Sequence, residues 1–118
     1  MVVLKVEVNK MVMELNLESF RKEVNDNKEL IIVDFWASWC GPCMAMAPVF
    51  EDLSKDSEFE GKLRFAKIST EDHPEIAGSN DITGIPCLII YKDGVELDRI
   101  IGFNQKEALK GKINSIIN

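Results

Sequence analysis

The stretch Leu30-Ile31-Ile32-Val33-Asp34-Phe35-Trp36-Ala37-Ser38-Trp39-Cys40-Gly41-Pro42-Cys43-Met44-Ala45-Met46-Ala47-Pro48-Val49-Phe50 decides the fold class. Its opening residues are almost all apolar and rich in β-branched side chains. That run is too short for a membrane span and reads as a strand buried on both faces. Two cysteines three apart come next, with Gly41 and Pro42 between them, and then a Met/Ala-rich run that reads as helix. A buried strand ending in Cys-x-x-Cys at the opening of a helix is a redox signature.

The spacing explains why. Residues i and i+3 share one face of a helical turn, about 5–6 Å apart, within the Cα range a disulfide tolerates. Cys40 and Cys43 can therefore bond and part with little backbone movement. Pro42 falls in the first turn, where a missing N–H costs nothing and its fixed φ suits a helix. The helix N-terminus presents unpaired N–H groups and positive partial charge, which favour a thiolate over a thiol. Cys40, nearest that end, is the expected attacking thiolate, and Cys43, one turn in, acts second. In the strand, Leu30, Ile32, Asp34 and Trp36 point one way and Ile31, Val33, Phe35 and Ala37 the other. Both rows are apolar except for Asp34, so desolvation raises its pKa. A perturbed carboxylate below two cysteines suits proton transfer, the plainer alternative being a structurally paired side chain.

The Trp39-Cys40-Gly41-Pro42-Cys43 run, after a strand carrying Asp34 and Trp36, resembles the active site of the thioredoxin family. The likeness continues through Pro48, Lys67, Ile85-Pro86, Gly94 and Gly102 and covers about residues 11–117. A lone Cys-x-x-Cys also serves zinc, but five motif residues and a downstream Ile-Pro in order make the match specific. The resemblance implies an α/β thioredoxin fold: a central mixed sheet of about five strands flanked by four helices, in one domain spanning 1–118. It implies Cys40 as nucleophile, Cys43 as resolving thiol and a Cys40–Cys43 disulfide in the oxidised form. Asp34 would move the proton with Lys67 as its partner, and Pro86 would be cis. Trp39, Gly41, Pro42, Ile85, Gly102 and Phe103 would form an apolar docking surface for substrate. The partners implied are disulfide-containing proteins and a thioredoxin reductase, NADPH-flavin or ferredoxin-linked; no cofactor or metal is implied, and a monomer is expected.

Bulk properties agree with a soluble globular chain: 46% apolar and 29% charged residues are ordinary proportions. A net charge of −6 argues against nucleic acid, whose phosphates need basic patches. Met1–Val8 alternates apolar with charged residues, unlike a secretory signal, and no stretch has the length of a membrane helix. Three cysteines is an odd count for a disulfide framework, so a cytoplasmic redox protein is expected.

Along the chain, residues 2–8 predict a strand; relative to the family, residues 1–9 are a short N-terminal extension that adds an edge strand or lengthens the first one. Met11–Leu15 reads as the first strand of the fold, and Asn16 as the N-cap of a helix through about Val24. Pro48 should kink the central helix. Lys62–Ser69 reads as a strand that puts Lys67 in an apolar row with Leu63 and Phe65, where lysine is rare unless paired; a lysine snorkelling at the edge is the alternative. His73-Pro74 starts a short helix, with His73 a solvated cap. Cys87–Tyr91 and Val95–Ile101 form a hairpin around Lys92-Asp93-Gly94. Asn104 is the expected N-cap of a last helix with Leu109, Ile113, Ile116 and Ile117 as its apolar stripe.

Gly-Pro between the cysteines offers no charge to hold a thiolate, which favours an electron donor over an isomerase or oxidase. A non-catalytic interaction module would not need both cysteines. Four departures from the family pattern bear on partner preference: Cys87 where Thr usually follows the proline, Met44 where Lys or Arg is common, Asp81 in place of Gly, and Ser69-Thr70 for an acidic-apolar pair. Cys87 puts a third thiol beside the dithiol; it is expected to be an inert small hydrophobe, with oxidation or glutathione capping as the alternative. Trp36 is expected to pack around the site.

Overall fold

A computed structural model describes residues 12–118. The predicted strand over 2–8 and Met11 lie outside them. Five strands, β1 (Val12–Glu14), β2 (Ile31–Trp36), β3 (Arg64–Ser69), β4 (Cys87–Lys92) and β5 (Val95–Ile101), form one sheet in the order β1-β3-β2-β4-β5. β1, β3 and β2 run parallel, while β4 and β5 are antiparallel to their neighbours. Four helices flank the sheet: α1 (Leu17–Phe20), α2 (Gly41–Ser54), α3 (Pro74–Ser79) and α4 (Lys106–Ile117). This is the mixed-sheet α/β architecture of the thioredoxin fold. Among the described residues no helix is long and apolar enough to cross a membrane.

Strand alternation sends the two rows of β2 into two cores. Ile32 joins Leu88, Met46, Phe50 and Leu109 under α2 and α4. Ile31, Val33 and Phe35 join Phe20, Ile89 and Ile76 under α1 and α3. All five of Ile31–Phe35 are buried, Asp34 included, so the central strand has no wet face.

Local chemistry sets the boundaries. Asn16 caps α1 by accepting the Ser19 N–H at 2.8 Å, and the Ser19 hydroxyl oxygen accepts the Asn16 N–H in return. The helix then widens into a π-helical turn over Arg21–Asn25, which the sequence did not announce. Asp93 and Gly94 both have positive φ, +55° and +75°, as a two-residue primed hairpin turn demands. Gly94 is doubly constrained, because a side chain there would begin 2.6 Å from the Asn25 carbonyl oxygen. Pro48 sits inside α2. The last helix starts differently from the expectation: Gln105, not Asn104, is its N-cap, and it makes no side-chain capping bond. Asn104 is diverted, its side-chain amide donating to the Gly102 carbonyl at 3.4 Å and its backbone N–H pointing to the Met46 sulfur.

Candidate active site

Cys40 occupies the N-cap of α2 with extended backbone, and its Sγ accepts the Cys43 N–H at 3.2 Å. The Cys40 sulfur thus sits where the first-turn N–H groups and the positive end of the helix converge. Cys40 and Cys43 are joined in a disulfide with their Cα atoms 5.2 Å apart. Cys43 is 1% exposed and Cys40 5%, so what little access exists is on the Cys40 side. Pro42 lies in the first helical turn. The Ile85–Pro86 peptide is cis, and the Ile85 carbonyl oxygen lies 3.8 Å from Cys40 Sγ. Gly102 donates its N–H to the Pro86 carbonyl at 2.8 Å from a φ of +95°, a conformation that favours glycine. The cis-proline segment therefore meets the disulfide through Ile85 and is tied from behind by Gly102.

Around it the surface is apolar. Trp39 is 72% exposed, and Phe103, Ile101 and Met44 are exposed as well. Ile101 Cγ2 stands beside Gly84, 3.6 Å from where a side chain there would begin. Ile85 is half-buried and packs on the disulfide cluster with Trp36. Gly41 has open space above it. Sequence reasoning did not single out Met44 or Ile101 as exposed contacts. Ile101 ends an edge strand, and that position leaves it bare.

Asp34 is buried within β2. It alternates with Ile32 and so belongs to the α2 side of the sheet. Burial pushes its pKa up to about 7, against the opposing pull of the Lys67 charge. Its Oδ1 has no hydrogen-bond partner among the described residues. Lys67 is its register neighbour on β3, yet its ammonium stands over the Trp36 ring, 5.4 Å from the centroid, and acts on Asp34 through space.

Glu71 was missed. Its carboxylate accepts the Ser38 N–H at 2.7 Å and the Ser38 hydroxyl at 2.6 Å, bonds that hold its pKa below the usual range. Thr70 adds its N–H and hydroxyl to the Trp36 carbonyl, at 2.8 and 3.2 Å. Together they pin the corner that carries Trp39 and Cys40. No local pattern could reveal this, since Ser38 and Glu71 are 33 residues apart in sequence.

Cys87 needs a correction. It follows Pro86, but its side chain is on the opposite face of the sheet, packed with Phe35 and Ile89 under α1 and α3. The reason is alternation: Leu88 shares the face of Asp34, so Cys87 cannot. Burial raises the Cys87 pKa, which suits an inert thiol. His73 is the N-cap residue of α3 but forms no side-chain capping bond. Among the described residues no group of three or more His, Cys, Asp or Glu could hold a metal ion.

A disulfide in the first turn of a helix, set against a cis-proline loop on a mixed sheet, defines a disulfide oxidoreductase of the thioredoxin fold. Comparison with known proteins agrees. Residues 11–115 match the family model described as Thioredoxin. The chain is 41% identical over 100 residues to the thioredoxin of Chlorobaculum thiosulfatiphilum, covering 85% of this chain and 91% of that one. It is 40% identical over 100 residues to the thioredoxin of Pyropia yezoensis, covering 85% and 92%. A Staphylococcus aureus thioredoxin is 45% identical over 78 residues, covering 66% and 73%. The chain belongs to the thioredoxin family.

Proposed function

We propose that this protein reduces disulfides in partner proteins by dithiol–disulfide exchange and so serves as an electron carrier in cell redox homeostasis. The observation that supports this most directly is the Cys40–Cys43 disulfide at the N-terminus of α2, beside the Ile85 carbonyl. Starting from the dithiol, the Cys40 thiolate attacks one sulfur of the partner's disulfide. A mixed disulfide forms, and the other partner sulfur leaves as a thiolate. Asp34 takes the Cys43 proton, directly or through water. Cys43 then attacks Cys40 Sγ, the mixed disulfide breaks, and the partner departs with two thiols. The protein is left in its disulfide form. Holding the second thiol one turn away replaces a bimolecular step by an intramolecular one, which is why the mixed disulfide is short-lived.

In this scheme Lys67 tunes Asp34, and Trp39, Gly41, Pro42, Ile85, Gly102 and Phe103 receive the partner, with Ile85 of the cis-proline pair offering its backbone to an extended chain. A separate thioredoxin reductase, NADPH-flavin or ferredoxin-linked, returns two electrons to the disulfide. We take the protein to be a monomer in a reducing cytoplasm, since three cysteines, one of them buried and unpaired, are unlike the disulfide framework of a secreted chain. Reduction of insulin by the dithiol tests the reading: the wild type should turn over with dithiothreitol as donor, and Cys40→Ser should lose all activity. Equilibration against a glutathione or dithiothreitol buffer measures the potential; a strongly oxidising value would replace the reductase assignment by an oxidase.

A further inference from the structure

Arg99 and Glu96 are three apart on β5, a spacing that in a regular strand puts side chains on opposite faces. Here they meet. Ile89 pairs with Arg99, but Tyr91 pairs with Glu96, because a bulge at Ile90/Tyr91 leaves Leu97 as an extra residue. The bulge turns Glu96 onto the face of Arg99, and the two form a bidentate pair, Nε–Oε2 and Nη2–Oε1 both 2.7 Å. The fork is then aimed away from β5. Nη2 donates to the Asn80 carbonyl at 2.9 Å and Nη1 to the Asp81 carbonyl at 3.1 Å. Tyr91 Oη donates to the Asn80 side-chain oxygen at 2.7 Å from the neighbouring strand.

Asn80 is the C-cap of α3 and Asp81 follows in the left-handed region, so these carbonyls have no helical partners of their own. A cation at that end also meets the negative pole of the helix. From Asp81 only Ile82, Thr83 and Gly84 intervene before Ile85–Pro86. The far end of this loop is held by the Gly102 N–H on the Pro86 carbonyl. Arg99 and Gly102, three residues apart at the end of β5, therefore hold both ends of the segment that faces Cys40.

We propose that Arg99 is a positioning residue for the exchange reaction: its Glu96-set fork holds the loop so that Ile85 presents its backbone to a partner's extended chain. This rests on the reductase reading. A protein substrate that pairs with Ile85 needs the loop in place, whereas a small disulfide needs only Cys40.

The test is steady-state reduction of insulin and of a small aromatic disulfide by the full chain, with thermal unfolding alongside. Arg99→Met should raise KM for insulin about tenfold or more, the lower end of the scale of one charge-assisted hydrogen bond. Its kcat for insulin and its rate with the small disulfide should stay within about twofold. Arg99→Lys keeps the charge but not the fork and should fall between. Glu96→Gln should shift KM in the same direction by less, and serves if Arg99→Met does not fold. A wild-type KM for insulin in the folded variants, or equal losses on both substrates, overturns the assignment and leaves the reductase reading intact. A wild type that does not reduce insulin overturns both.

Discussion

The two faces of the sheet carry the same kinds of groups and put them to opposite uses. Toward α2 and α4 lie Cys43, the buried Asp34 and Lys67; toward α1 and α3 lie Cys87, Tyr91 and the Arg99–Glu96 pair. On the first face the sulfurs are at a helix N-terminus and the carboxylate has no hydrogen bond to Oδ1 among the described residues. On the second, the sulfur is enclosed by hydrophobes, the phenol donates to Asn80, and the cation is matched by Glu96. Reactivity therefore follows from what is left unsatisfied, and rigidity from what is paired.

Alkylation should separate the faces most widely. In the reduced protein at pH 7, iodoacetamide should modify Cys40, at the helix N-terminus, at least about tenfold faster than Cys87, whose pKa burial raises. Peptide mass mapping over time reads this, and comparable rates would erase the contrast. Next comes the chemistry of Asp34. Asp34→Asn should slow insulin reduction by roughly 100-fold near pH 7, the low end of what general base catalysis contributes, and by less near pH 9. Equal slowing at both would remove the proton-transfer role.

Asp34 also makes stability depend on pH. Its folded pKa of about 7 lies above the ordinary 3.8, so the folded state holds the proton more tightly than the unfolded chain. The stabilisation is complete below about pH 4, declines as pH rises toward 7, and is absent above that, an amplitude of about 4 kcal/mol. Urea unfolding across this range should show the decline in the wild type and a much flatter profile in Asp34→Asn. The smallest effect belongs to the opposite face. Cys87→Ala should cost about 1 kcal/mol in urea unfolding through lost packing and leave insulin reduction within about twofold. A large loss of activity would mean that the third thiol takes part after all.

Much of this was legible before any coordinates. The β-branched run Leu30–Phe35 and the helix opening at Gly41 are local patterns, and each alternates or repeats with its own period. Asn16 announced its cap because capping is settled within one turn. Asn104 misled for the same reason in reverse: its side chain found the Gly102 carbonyl, a contact no helix-start rule weighs. The closeness in sequence of Cys87 to Pro86 suggested nearness to the dithiol, and the pleat sends the thiol the other way. Val95–Ile101 reads as one returning strand, and the bulge that leaves Leu97 without a register partner shows only in the pairing.

By itself the chain determined where its strands and helices lie, which rows are apolar, and that two sulfurs sit one turn apart at a helix start. Those properties are set by neighbours within a few residues. Only the folded arrangement decided that Asp34 holds its proton to about pH 7, that Lys67 stands over Trp36, that Glu71 grips Ser38, and that Arg99 reaches Asn80 and Asp81. Each of these depends on distances between atoms far apart in sequence, where desolvation and Coulomb interaction are fixed by packing rather than by residue type.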